Sequence, residues 1–499
     1  MNHRSAVAAA LLFAFTALAQ GADKPNSAEG WRELTLRDLA DMRRKWLDHT
    51  PIPFDKENPG YLKWLEDGYR LAVDRAETVK TEGGWYYTLA FYQNGFGDPH
   101  VSLSPIGVLP PASWPGFIAT ARGDDAMVVF RDESDAEAPS VGSRILQCDG
   151  KSIGALLGER VHPFVTNAKL SGDRRRAVTR LFYDRQNPFA PPLERCTTES
   201  AGMTKEISLT WRDLPADADD WNRRYQDAGL GPRTSFGITE PAPGVAWIGV
   251  PTFSSGESAA PELEKLIDAV KSKAQVMREG RAIVIDVRGN GGGNSAWADK
   301  LAEAIFGADV LRRHAPPQPG YAVDWRASTG NATHWRDWET RMRKEFGFFS
   351  QQRFSAERTA SQLEAHVERG TPLYRQGAEG QLPSGGMTGS RPRGEGPFKA
   401  RVFLLSNGTC GSSCLNFADT VLFVPGVKLI GAATSGDGML METRTETLAS
   451  GLARVTLPQK VARGRARGHL EVYEPDVAHI GAWDEASVRE WVLKTVLAP

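Results

Sequence analysis

Between residues 23 and 100 the apolar positions fall at helical spacing. Leu36, Leu39, Trp46 and Leu47 share one face, and Leu62, Leu65, Tyr69, Val73 and Ala76 share a second. A third, aromatic segment runs from Trp85 to Tyr92 and closes in Asn94-Gly95-Phe96-Gly97-Asp98-Pro99-His100, a turn built on glycine and proline. This spacing predicts an N-terminal helical unit over 23–100. Over 101–215 the pattern shortens to strand-like pieces broken by Pro and Gly, which predicts a β-rich domain. From Gly244 onward strands alternate with helices, so 216–499 is expected to hold an α/β core. Ile283-Val284-Ile285-Asp286-Val287 and Val402 to Leu405 are continuous apolar runs, the mark of strands buried on both faces. Each run leads into a turn and then a helix, one from Ser295 and one through Asn416 to Leu422.

The core is interrupted by 311–397, rich in Arg, Glu, Gly and Pro. Within it Trp335, Trp338, Met342, Phe346 and Phe349 keep helical spacing, which predicts a helix facing the core; a lid is the alternative. Gly377 to Gly396 reads as a loop.

At 499 residues, 41% hydrophobic and 24% charged, the chain has the composition of a multidomain globular protein. Its 60 basic residues face 61 acidic ones, which excludes the electrostatic footprint of a dedicated nucleic-acid binder. Arg4, the apolar run from Ala6 to Leu18 and the sequence Ala17-Leu18-Ala19 have the form of a signal peptide over 1–22. The run is too short to span a bilayer, so an exported protein is expected, periplasmic or secreted, with no stable membrane insertion. Four cysteines are then free to pair. Cys410 and Cys414, one helical turn apart, lie within disulfide reach, leaving Cys148 and Cys196; reduced thiols remain the alternative. Neither a Cys-x-x-Cys nor a His-Glu-x-x-His spacing occurs, so no metal is expected.

Two turns carry candidate chemistry. Arg288-Gly289-Asn290-Gly291-Gly292-Gly293 follows a buried strand, where consecutive glycines let successive N–H groups converge on an anion or oxyanion. A dinucleotide loop fails on Asn294, which stands where a glycine is required. The second turn, Asn407-Gly408-Thr409-Cys410-Gly411-Ser412-Ser413-Cys414, offers a serine hydroxyl beside a helix N-terminus, where a plain N-cap is the commoner role. Cys410 could instead serve as a thiol nucleophile, and Asp286 suits an ion pair with Arg288 better than catalysis.

Together, Gly244 to Phe253, Ile285 to Gly293 and the Ser412 turn resemble the tail-specific (C-terminal-processing) and tricorn-core serine peptidases. The resemblance implies a crotonase-like core and extends more loosely to a PDZ-like stretch over Val141 to Ile153. It implies Ser412 as nucleophile, with Ser413 the runner-up, and an oxyanion hole from Ser413 and Gly291 or Gly292. Leu415 replaces the family's usual glutamate, and Asp437 stands where Ser/Lys members carry lysine. Tricorn-like members instead take a histidine from a turn matching Asp98-Pro99-His100-Val101-Ser102, so His100 becomes the expected base, with Glu471 or Asp437 as its partner. The function implied is a serine peptidase acting on peptides or proteins through an acyl-enzyme, and the resemblance implies no cofactor. A catalytically inactive binding protein on the same fold, or an esterase, is the alternative.

Overall fold

The computed structural model describes residues 24–107, 109–214, 218–314, 321–377, 391–392, 394–465 and 467–498, with the side chains of 218 and 219 left out. The expected signal segment and most of the 377–396 loop lie outside the described residues.

Three helices open the chain: α1 (Ala28–His49), α2 (Pro59–Ala76) and α3 (Glu82–Asn94). Ser27 and Thr81 cap α1 and α3 through their hydroxyls, and Pro59 starts α2. The helices do not close a core by themselves. Trp46, Leu65, Trp85 and Tyr92 bury against Leu440, Val455, Leu457 and Val461 of the hairpin formed by Leu440–Thr447 and Ala453–Arg463. Trp46 Nε1 also donates to the Thr456 carbonyl at 3.1 Å.

The β-rich domain is an antiparallel sheet of Phe117–Arg122, Asp125–Arg131, Arg144–Cys148, Arg195–Ser200 and Met203–Ser208, in that order, with Lys151–Ser152 paired at Arg144–Cys148. The expected strand, turn and strand between Val141 and Ile153 are present, with Asp149 and Gly150 both at positive φ in the turn. A Cys148–Cys196 disulfide joins neighbouring strands, and Cys410–Cys414 forms the second.

The core sheet has six strands in sequence order: β1 (Gly237–Ala242), β2 (Val245–Gly249), β3 (Ala282–Asp286), β4 (Arg401–Ser406), β5 (Lys428–Gly431) and β6 (Val477–Ala478). All neighbours are parallel except β1 and β2. Alternate residues of β3 serve opposite faces. Ile283 and Ile285 pack with α4 (Ala260–Glu279), α5 (Ser295–Phe306) and the later Ser413–Val421 helix, whereas Ala282 and Val284 pack under Trp483, Val488 and Val492 from the C-terminal segment. Burial on both faces is the physical reason these strands read as unbroken apolar runs.

At the end of β3, Asp286 and, two residues on, Arg288 are fully buried and paired twofold, Nε to Oδ1 at 2.9 Å and Nη2 to Oδ2 at 2.6 Å. Trp247 Nε1 adds a bond to Oδ2 at 3.1 Å, and Glu485 meets Arg288 at 2.5 Å. The pair fixes the start of the glycine loop.

The segment between the core strands holds a helical hairpin, α6 (Thr329–Phe346) and α7 (Gln351–Glu368). The expectation of one core-facing stripe needs correction. Met342 is buried, but Phe346 is exposed and Phe349 lies beyond the helix, because Gly347 ends α6 at φ 90°.

Asp286→Ala leaves the Arg288 cation buried without its main partner and should cost about 3–5 kcal/mol, read as a fall in the urea midpoint. Glu485→Ala, which removes a half-exposed partner, should cost under about 1 kcal/mol.

Candidate functional site

Because β3 and β4 are parallel neighbours with Asp286 opposite Leu405, the turns that follow them emerge side by side. The two loops are stitched together: Gly289 N donates to Asn407 Oδ1 at 3.2 Å and to Thr409 Oγ1 at 2.9 Å. From outside, Arg175 of the β-rich domain stacks 3.9 Å over the Trp483 ring and donates to the Asn407 carbonyl.

The serine turn leads from β4 into α8 (Ser413–Val421), and the Cys410–Cys414 disulfide spans the junction. Cys410 therefore has no thiol to offer as a nucleophile. Ser412 sits at φ 51° and ψ −123°, a region that L residues rarely occupy, and its side chain makes no capping bond to the helix. Its N–H donates to Asp437 Oδ1 at 2.9 Å. A Cβ at Gly292 would stand 2.8 Å from Ser412 Cβ, so a glycine is needed for the two loops to meet. Ser412 lines a cleft of about 640 Å³ with His100, Gly293 and Asp437. The adjacent Ser413 differs: its Oγ is buried without a hydrogen-bond partner.

Main-chain donors at this turn are set by local geometry. The Ser413 N–H is the first of its helix and has no partner within it. In the glycine loop, Gly292 N donates to Asn290 Oδ1 at 3.0 Å. Gly293 pairs alongside Phe253 through its neighbours, Phe253 N to Gly292 O and Asn294 N to Phe253 O, so its own N–H takes no part in that pairing, and the residue lines the cleft. A Cβ on Gly293 would come within 2.2 Å of Phe253 backbone.

His100 stands in the turn after α3. The carboxylate at its ring is Asp98, with Nδ1 donating to Oδ1 at 3.1 Å. Asp98 is fully buried at its side chain and also accepts from His100 N (3.0 Å), Tyr61 Oη (2.6 Å) and Leu440 N (3.2 Å). Gly438 makes room for it, since a Cβ there would lie 1.5 Å from Oδ2. Burial alone would raise the Asp98 carboxyl, but the His100 hydrogen bond and charge, with Tyr61 donating, hold it below the usual range. Burial alone would likewise lower the His100 imidazole; the hydrogen bond and charge of Asp98, with Asp437 adding, raise it above its ordinary value. Among the described residues no hydrogen bond joins Ser412 to His100, a separation common before substrate closes a site.

The two carboxylates expected as the His100 partner make their hydrogen bonds to other groups. Glu471 Oε2 accepts from Gly468 N at 2.6 Å, closing its own turn. Asp437 holds the Ser412 N–H and lies 3.6 Å from Arg467, whose Nε donates to Asp419 at 3.0 Å. Asp98 stands two residues before His100 in the quoted motif, and an Asx turn at that spacing is the signal that identifies it. Tyr61 and Gly438 carried no such local signal. Among the described residues, no group of three His, Cys, Asp or Glu side chains could hold a metal ion.

Residues 244–478 match the model of peptidase family S41. No curated protein matches the sequence. Among solved structures, mature CPAF is similar with a TM-score of 0.58 at 14% identity, covering 90% of this chain and 93% of its own. Mature CPAF complexed with lactacystin gives 0.56 at 16% identity, covering 90% and 94%. At these identities the likeness is one of fold, and it runs through the helical, β-rich and core parts alike.

Asp98→Asn removes the charge that raises the His100 pKa, so the NMR titration of the His100 ring should move to lower pH. Gly438→Ala, which displaces the same carboxylate, should move it in the same direction.

Proposed function

We propose that the chain, whose residues 244–478 match peptidase family S41, is a serine-type peptidase that cleaves peptide bonds by a Ser/His acyl-enzyme mechanism with Ser412 as nucleophile. The observation that carries this reading is Ser412 itself: a non-glycine residue at φ 51°, free of a capping role, in the same cleft as His100. Ser413, with its hydroxyl enclosed, is a poor alternative.

His100 Nε2 takes the Ser412 proton as Oγ attacks the substrate carbonyl. Asp98 accepts from Nδ1–H, fixes the tautomer and stabilises the imidazolium that forms. The Ser413 and Gly293 N–H groups supply the oxyanion hole, and such preorganised donors usually make the largest single contribution in acyl transfer. His100 then returns the proton to the leaving amine. The same steps with water as nucleophile release the acid and regenerate Ser412.

Asp437 in place of lysine supports this assignment over a Ser/Lys dyad. Its carboxylate holds the serine's backbone N–H, a positioning role rather than a proton-transfer one. Lys460, the lysine that lines the cleft, is 3.1 Å from Glu442 and 4.5 Å over the Trp325 ring. The substrates are peptides or proteins, and the expected signal segment makes the site of action outside the cytoplasm.

A serine-directed fluorophosphonate should label Ser412 alone, as read by peptide mapping. Ser412→Ala and His100→Ala should each lower kcat by about 10⁴-fold or more; peptidase activity intact in both variants would overturn the mechanism. A base must be neutral to act, and His100 is raised, so kcat/KM should climb with pH through a limb above the ordinary imidazole value of about 6.5. In Asp98→Asn that limb should lie at lower pH, with a much reduced maximum.

A further inference from the structure

The hairpin of α6 and α7 ends in a feature that the peptidase chemistry does not use. Its root is packed: Trp335 meets Trp325 edge-on at 5.4 Å, and Ala332 and Leu363 are buried with them. Its tip is open. Phe346, Phe348, Phe349 and Phe354 are 49%, 48%, 84% and 42% exposed. Single exposed apolar side chains are ordinary, whereas four exposed phenylalanines lie within nine residues here, with Phe348 and Phe349 in edge contact at 5.1 Å, a concentration of the kind that marks an interaction site.

The tip is a built turn. Gly347 N donates to Arg343 O at 3.0 Å to end α6, and Ser350 Oγ accepts from Arg353 N at 3.3 Å to start α7. Arg353, buried beneath the rings, donates to Phe348 O at 2.6 Å and is met by Glu339 at 2.9 Å and Glu357 at 3.1 Å. That guanidinium therefore serves the turn and carries no free charge outward. Arg343 lies 4.9 Å over the Phe348 ring, and Arg341, Lys344 and Arg358 are exposed on the same stretch, Arg341 over Trp338. Between residues 341 and 358 the carboxylates are Glu345 and Glu357, and Arg353 already engages the second.

We propose that this tip docks the protein on an anionic lipid bilayer, with the phenylalanine rings in the headgroup region and the surrounding cations on the lipid phosphates. Aromatic side chains ringed by Arg and Lys are the composition that interfacial segments use. Two copies meeting tip to tip would bring cations against cations, which disfavours self-association through the same face. No helix among the described residues is long and apolar enough to cross a membrane, so the contact is peripheral. The strands flanking the hairpin, Ala322–Arg326 and Leu373–Gly377, join the sheet containing Ala453–Arg463, and Lys460 of that strand lines the cleft. Docking through the tip would thus hold the cleft in a fixed orientation to the bilayer.

The test is co-sedimentation of the full chain with vesicles of phosphatidylcholine and phosphatidylglycerol in equal parts, and with vesicles of phosphatidylcholine alone. Wild type should bind the anionic vesicles, more weakly as salt is added, and bind the neutral ones less. Phe348→Ser/Phe349→Ser should weaken anionic binding by about tenfold or more with peptide hydrolysis unchanged, and Arg343→Glu/Lys344→Glu should weaken it comparably. No binding by wild type, or equal binding by wild type and the phenylalanine variant, overturns the proposal. So does a wild-type dimer in sedimentation velocity that the phenylalanine variant abolishes without any vesicle binding, which would assign the tip to self-association.

Discussion

Ser412 occupies φ 51° and ψ −123°, a conformation that costs a residue bearing a Cβ on the order of 1–3 kcal/mol. It persists because its surroundings leave the chain little choice. Asp437 Oδ1 holds its N–H, the Cys410–Cys414 disulfide ties both sides of the turn, and Ser435 N donates to Cys410 O at 3.1 Å. In this conformation the Ser412 side chain makes no capping bond to the helix and the residue lines the cleft. Asp437 is in turn set by Arg467, 1% exposed, which also binds Asp419, so the constraint on the serine reaches back into the packed interior.

Parallel strands supply the other half of the arrangement. Their turns leave a sheet on the same edge, so adjacent β3 and β4 deliver a glycine loop and a serine loop to one spot. Close approach then depends on atoms that are missing. Gly292 and Gly293 permit contact with the serine turn and with Phe253, and Gly438 permits Asp98 to reach His100. The buried Asp286–Arg288 pair belongs to the same logic, because it holds the loop at its root without entering the cleft. His100 arrives from a different part of the chain, and the shared core of the N-terminal helices with Leu440, Val455 and Val461 fixes its position.

Much of this was legible in the residues. Runs such as Ile283 to Val287 declare strands buried on both faces, and the two turns that follow declare a place for N–H donors and a hydroxyl. What the residues did not carry was the pairing made by packing. Glu471 and Asp437 were candidates for the His100 partner because both lie in suggestive local sequence, yet Asp98 lies at its ring, in a pocket closed by Tyr61 and Leu440 from distant segments. The glycine loop offered Gly291 or Gly292 as a donor, and local sequence gave no sign that Asn290 Oδ1 takes the Gly292 N–H or that Gly293 pairs beside Phe253. In α6 the period was right, but periodicity does not say how far a helix outruns what it packs against, so Phe346 and Phe349 were assigned to a core they do not reach.

Asp437 is the residue on which competing mechanisms diverge, since it either orients the serine through its backbone or moves the serine's proton. The decisive measurement is the rate of fluorophosphonate labelling at Ser412 in Asp437→Asn and Asp437→Ala. An asparagine oxygen can still accept the Ser412 N–H, so Asp437→Asn should label within a few-fold of wild type, whereas Asp437→Ala releases the turn and should label slower by about 10²-fold. Equal and severe loss in both variants would make the Asp437 carboxylate a proton carrier and contradict the assignment of that role to His100.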